Sequence, residues 1–67
     1  MSGANLVRAE LRGADLRGAN LSGSDLQYAK LERANLNGTN LNGADLRKAD
    51  FFGADLRNAK LEWTKLR

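Results

Sequence analysis

The sequence predicts a solenoid, and three observations carry that expectation. Leu recurs at every fifth position without a slip, from Leu6 through Leu11, Leu16, Leu21, Leu26, Leu31, Leu36, Leu41 and Leu46, then Phe51, Leu56, Leu61 and Leu66. Two residues before each stands a small side chain: Ala at most repeats, with Ser24, Thr39 and Thr64 as the exceptions. A period of five fits neither a helix nor a flat strand. On a helix, every fifth residue steps round by about 140°, so no single apolar stripe forms. On a strand, an odd period sends successive Leu side chains to alternate faces. The chain must turn once per pentapeptide, so that each Leu and its small partner point to a shared axis. Such a unit buries its apolar face only by stacking on its neighbours.

The other positions repeat as well. Between the small residue and the Leu sits Asn or Asp at Asn5, Asp15, Asn20, Asp25, Asn35, Asn40, Asp45, Asp50 and Asp55, with Glu10, Lys30, Lys60 and Lys65 as exceptions. Two residues after the Leu, Gly recurs at Gly13, Gly18, Gly23, Gly38, Gly43 and Gly53. Gly and Asn oppose helix and favour turns, which reinforces one turn per unit.

Over residues 4–66 this A-(D/N)-L-x-G pattern resembles the pentapeptide-repeat family. The resemblance implies an all-β fold, a right-handed quadrilateral β-helix in which four pentapeptides make one square coil. The Leu and the small residue face inward and the other three positions outward. Sixty-seven residues then make about three and a third coils, a column about 16 Å tall at the usual strand spacing. No capping helix is expected, and residues 1–67 form one domain. Residues 60–67 are atypical: Lys replaces Asp or Asn, Gly is absent and the only Trp enters. This stretch is expected to act as a cap or an interface.

Composition narrows the function. The chain has no Cys, His or Pro, so disulfides and the usual zinc, haem and iron–sulfur ligands are excluded. No apolar run is long enough for a membrane span or a signal-peptide core, and a cytoplasmic location without membrane contact is expected. The Asp and Glu are spread about one per repeat beside basic or amide neighbours, and Ser22, Ser24, Thr39 and Thr64 have no His partner. No nucleophile, base or metal constellation is present. The chain is expected to be no enzyme and to use no cofactor.

If residues twenty apart stack, the surface becomes legible. Glu10–Lys30–Asp50 and Arg12–Glu32 form favourable ladders, and Asn35 and Asn37 separate the charges of the third face in an Asn ladder like those of stacked β assemblies. The net charge of +3 collects at Arg47, Lys48, Lys65 and Arg67, near the C-terminus, and forms no basic stripe. Some members of the resembled family look like duplex DNA and bind type II topoisomerases, which calls for a long anionic column. This short, net-positive chain departs from that pattern. Nucleic-acid binding would rest on the basic corner and on Tyr28, Phe52 and Trp63, without the clustered phosphate contacts such a face normally shows. The favoured expectation is a scaffold. Its ends expose strand edges and an apolar disc, so the chain stacks end to end as a homo-oligomer or docks on a protein partner. The expected interface residues are Phe52, Trp63, Leu66, Arg47, Lys65 and Arg67.

Overall fold

The computed structural model describes residues 2–66; Arg67, one of the expected interface residues, lies outside them. Among the described residues, nine parallel bridges join residues twenty apart, from Asn5↔Asp25 to Asp45↔Lys65. They fall into four columns, headed by Asn5, Glu10, Asp15 and Asn20. Each bridge is a single residue flanked by turns, so pairing advances in short steps rather than along continuous strands. The Cα atoms extend over 22 × 21 × 19 Å.

The repeat 25–29 shows how the pentapeptide satisfies its own backbone. Asp25 N–H donates back to Ala4 C=O at 2.9 Å, and Leu26 N–H donates forward to Asp45 C=O at 2.8 Å. Tyr28 N–H donates forward to Arg47 C=O, and Ala29 N–H closes the turn on Leu26 C=O. That leaves Gln27 N–H, which the Asp25 side chain accepts through Oδ1 at 3.2 Å. The same contact, at 3.0–3.2 Å, is made by all nine Asn and Asp of this position. A short side chain with an oxygen on Cγ is what such an Asx turn requires. The preference for Asn or Asp is therefore a backbone requirement. The Asn ladder expected along the third face gives way to it: Asn35 Oδ1 is engaged by Asn37 N–H. Among the described residues, one contact links Asn side chains across coils, Asn58 Nδ2 to Asn37 Oδ1 at 3.3 Å.

Each turn also holds a positive φ, 60–73°, at its third residue, the arrangement of a type II turn, which favours Gly or Asn. At six of these positions, Arg8, Tyr28, Arg33, Lys48, Asn58 and Trp63, a residue other than Gly holds this φ and carries the strain that Gly avoids.

The core is a stack of Leu with small residues between. Leu21, Leu26, Leu31, Leu36 and Leu41 are at most 1% exposed, and Ala29, Ala34, Ala44, Ser24 and Thr39 are buried with them. Thr39 keeps its hydroxyl inside by donating to Leu16 C=O at 2.7 Å. Burying one such Leu stabilises by about 1.5–3 kcal/mol. The ladder is not uniform. Leu6, Leu11, Leu16, Phe51 and Leu56 are half-buried against the core, while Leu61 and Leu66 are exposed. A Leu is fully covered only when coils lie on both sides of it.

Candidate interaction surfaces

The turns project side chains outward, and the twenty-residue register decides which of them meet. Arg12 Nε donates to Glu32 Oε2 at 3.1 Å and Lys30 Nζ lies 3.3 Å from Glu10 Oε2. Both pairs follow from stacking Glu10–Arg12 under Lys30–Glu32. Glu32 Oε1 is buried without a hydrogen-bond partner among the described residues. Its own amide N–H is the first cause holding this carboxyl below its usual range, with Arg12 and Lys30 adding to it.

A second kind of pair lies within single repeats. Arg17 grips Asp15 through Nε and Nη2 at 2.8 and 2.7 Å, Arg47 grips Asp45 at 2.8 and 2.6 Å, and Arg57 grips Asp55 at 3.0 and 2.7 Å. The Asp-Leu-Arg tripeptide is the sequence signal for these forks. Two-pronged donation by Arg, followed by the Asx-turn N–H, pushes Asp15 and Asp55 down to about 2. Asp45 is lowered by the same Arg side-chain donation and turn N–H, with Lys65 contributing last.

Among the described residues, the expected interface residues do not form one cluster. Arg47 is committed to Asp45. Lys65 continues the Asp25–Asp45 column and is exposed. Leu66 is 55% exposed in the apolar ladder, Trp63 is 87% exposed and Phe52 77%. Phe52 and Trp63 stand in turns eleven residues apart, about half the twenty-residue register, so they look out from different corners. Phe52 borders a cleft of about 490 Å³ with Arg12, Gly13, Glu32 and Arg33. Arg33 Cγ passes 3.4 Å from where a Cβ on Gly53 would sit. On another corner the Arg8 guanidinium stacks 5.1 Å from the centre of the Tyr28 ring, a cation–π contact that the sequence reading missed. Its signal was the twenty-residue spacing of the two turn positions.

At the C-terminal end the interior opens. An apolar cavity of about 90 Å³ is lined wholly by the Leu ladder from Leu31 to Leu66, with Phe51. Among the described residues no group of His, Cys, Asp or Glu is placed to hold a metal, and no helix is long and apolar enough to cross a membrane.

A register of twenty built from four five-residue units, each satisfying its backbone through an Asx turn and covering its Leu only by stacking, defines a solenoid interaction fold. The family described as Pentapeptide repeats (8 copies) matches residues 1–38 and again 29–67, and the chain belongs to it. Among solved structures, it is similar to HetL, a pentapeptide repeat protein involved in heterocyst differentiation regulation from the cyanobacterium Nostoc sp. strain PCC 7120. The two share 37% identity with a TM-score of 0.86, over 90% of this chain and 29% of HetL. It is also similar to the pentapeptide repeat protein Rfr23 from the cyanobacterium Cyanothece 51142, at 37% identity and a TM-score of 0.78, over 92% of this chain and 46% of Rfr23. The chain thus spans less than half the length of either. The comparison with curated proteins returned no match. These neighbours identify the fold as a right-handed β-helix of the pentapeptide-repeat type, a family of structural and interaction modules.

Proposed function

We propose that the chain is a non-enzymatic, cytoplasmic interaction module, a quadrilateral β-helix of about three and a third coils that stacks end to end or docks on a protein partner. One observation carries the reading. The Leu ladder is sealed in the middle, with Leu26 0% and Leu36 1% exposed, and open at the C-terminal end, with Leu61 38% and Leu66 55% exposed beside Trp63. An apolar disc bordered by Lys60, Glu62 and Lys65 matches the core-and-rim make-up of a protein interface. The regulatory involvement of HetL agrees with a role exerted through binding. The basic corner offers less to nucleic acid than its charge suggests, because Arg47 is already forked onto Asp45. A net charge of +3 likewise speaks against an anionic DNA mimic.

Light scattering on the purified chain over a concentration series tests the reading. Association is expected, and Trp63→Asp is expected to weaken it, because a carboxylate would be desolvated at the contact. An unchanged mass for Trp63→Asp would remove Trp63 from the interface. Duplex DNA binding that falls steeply with salt would replace the reading with a nucleic-acid one.

A further inference from the structure

Ala29-Lys30-Leu31-Glu32 and Ala59-Lys60-Leu61-Glu62 are the same four residues. The first copy is matched by the repeat stacked against it: Ala9-Glu10-Leu11-Arg12 places Glu10 against Lys30 and Arg12 against Glu32, with both ion pairs formed. The second copy sits on the Asn40 column, and among the described residues neither Lys60 nor Glu62 makes an ion pair. The complementary acid–Leu–Arg pattern occurs at Glu10–Arg12, Asp15–Arg17, Asp45–Arg47 and Asp55–Arg57. In the last three the Arg is forked onto its own Asp, whereas Glu10 and Arg12 lie on the opposite edge of the stack with no such fork.

Resting on the interaction-module reading, we propose that the partner at the C-terminal edge is a second copy of this chain, stacked head to tail in one register. Glu10 and Arg12 of the copy lie over Lys60 and Glu62, which sets Leu11 over Leu61, Asp15 over Lys65 and Leu16 over Leu66. The backbone groups of the two edges are complementary. Inside the stack, every Leu N–H donates to the residue nineteen further on, and every Asx-position N–H donates twenty-one back. Leu61 N–H and Ala59 C=O on one edge, and Glu10 N–H and C=O on the other, are the groups that would continue this pattern, and no backbone bond is formed by them among the described residues. The apolar surfaces also match, because Leu61 and Leu66 are exposed and Leu11 and Leu16 are only half-buried. The register places the exposed Trp63 against Gly13, around whose Cβ direction the space is open. Slipping the copy back by one repeat would set Asp15 over Lys60 and Arg17 over Glu62, but with Arg17 already forked onto Asp15. It would also set Glu10 over Asp55 and Arg12 over Arg57, like charge on like, which disfavours that pairing.

A head-to-tail contact does not close on itself, so assembly is expected to run past the dimer. Sedimentation velocity over a concentration series reads this. The weight-average mass should climb beyond two chains, and should fall in about 1 M salt, where the Debye length is about 3 Å. Lys60→Glu with Glu62→Lys should weaken self-association at least tenfold, about 1.4 kcal/mol. A second variant, Glu10→Lys, Arg12→Glu, Lys30→Glu and Glu32→Lys, keeps the 10–30 and 12–32 ion pairs with the charges exchanged, sets residue 30 against Asp50 with like charge, and should also fail to self-associate. Circular dichroism melts verify that each variant folds. Mixed together, the two variants are complementary at both junctions and should assemble again. If the parent chain associates but neither variant changes its mass, or if assembly stops at a dimer, this register is overturned while the end-stacking reading stands. A parent chain that stays monomeric at every concentration overturns both.

Discussion

The amide of Glu62 lies where the Asx rule fails, and it gives the rule a quantitative test. Residue 60 is Lys, so no Oδ1 is available within the repeat, and Glu62 N–H donates instead to Asn42 Oδ1 one coil back, at 3.0 Å. Asn42 thereby serves two repeats, since its own N–H donates to Asn40 Oδ1. Asn42→Ala removes one acceptor. The bond is exposed, so water competes and the loss falls at the low end of a net hydrogen bond, about 0.5–1 kcal/mol. For a domain of this size that is roughly 2–8 °C in Tm. Lys60→Asn restores the local acceptor and makes Asn42 redundant, so Asn42→Ala should then cost almost nothing. The coupling in a double-mutant cycle should equal the single loss, about 0.5–1 kcal/mol. Melts at dilution supply the four stabilities, and hydrogen exchange at the Glu62 amide reports the bond itself: protected in the parent chain, faster in Asn42→Ala, protected again in the double variant. Additive stabilities with unchanged Glu62 exchange would refute the claim that the Asn/Asp position exists to receive a turn amide.

Two further perturbations address the turns and the charges. Lys48 holds φ 64° and Gly43 φ 72°; a non-glycine residue there carries roughly 1–2 kcal/mol of strain, offset in Lys48→Gly by about 0.5–1 kcal/mol of extra unfolded-state entropy. Lys48→Gly should therefore raise stability by up to about 1 kcal/mol, and Gly43→Ala should lower it, both read by urea unfolding. Asp15 and Asp55 have folded-state values of about 2 against an ordinary 3.8. A depressed folded pKa means the unfolded chain binds protons first as pH falls. Their contribution is complete above the unfolded value and is lost as pH drops from about 4 to 2, so the midpoint of thermal melts should fall across that window. In Arg17→Ala and Arg57→Ala, where the first cause of the depression is gone, the fall should be shallower.

Much of the architecture is written in the period of five. The inward positions of Leu and of its small partner follow from it, and in the middle of the stack every one of them is buried. Once residues twenty apart are set against each other, Glu10–Lys30 and Arg12–Glu32 also follow from charge alone. The number of repeats per coil does not. A five-residue period gives each residue its phase within a unit and leaves open how many units close a turn; the family resemblance supplied four, and the bridges place them. The Asp–Arg forks escaped notice because charge summed face by face hides a pair inside one repeat. That Asn and Asp receive a turn amide is not legible in the repeat, because the unmet N–H they serve appears only when the other four amides of the unit are assigned.

At the ends the division is plainest. Leu36 and Leu66 hold the same place in the repeat, yet one is 1% exposed and the other 55%. Lys30 and Lys60 stand in identical tetrapeptides, and among the described residues only Lys30 forms an ion pair. The sequence by itself determined which way each residue points, because that depends on the local turn and on a side chain's affinity for water. The tertiary structure decided what each residue meets, because burial and charge pairing depend on whether a further coil lies above and below, and nothing in a single pentapeptide records that.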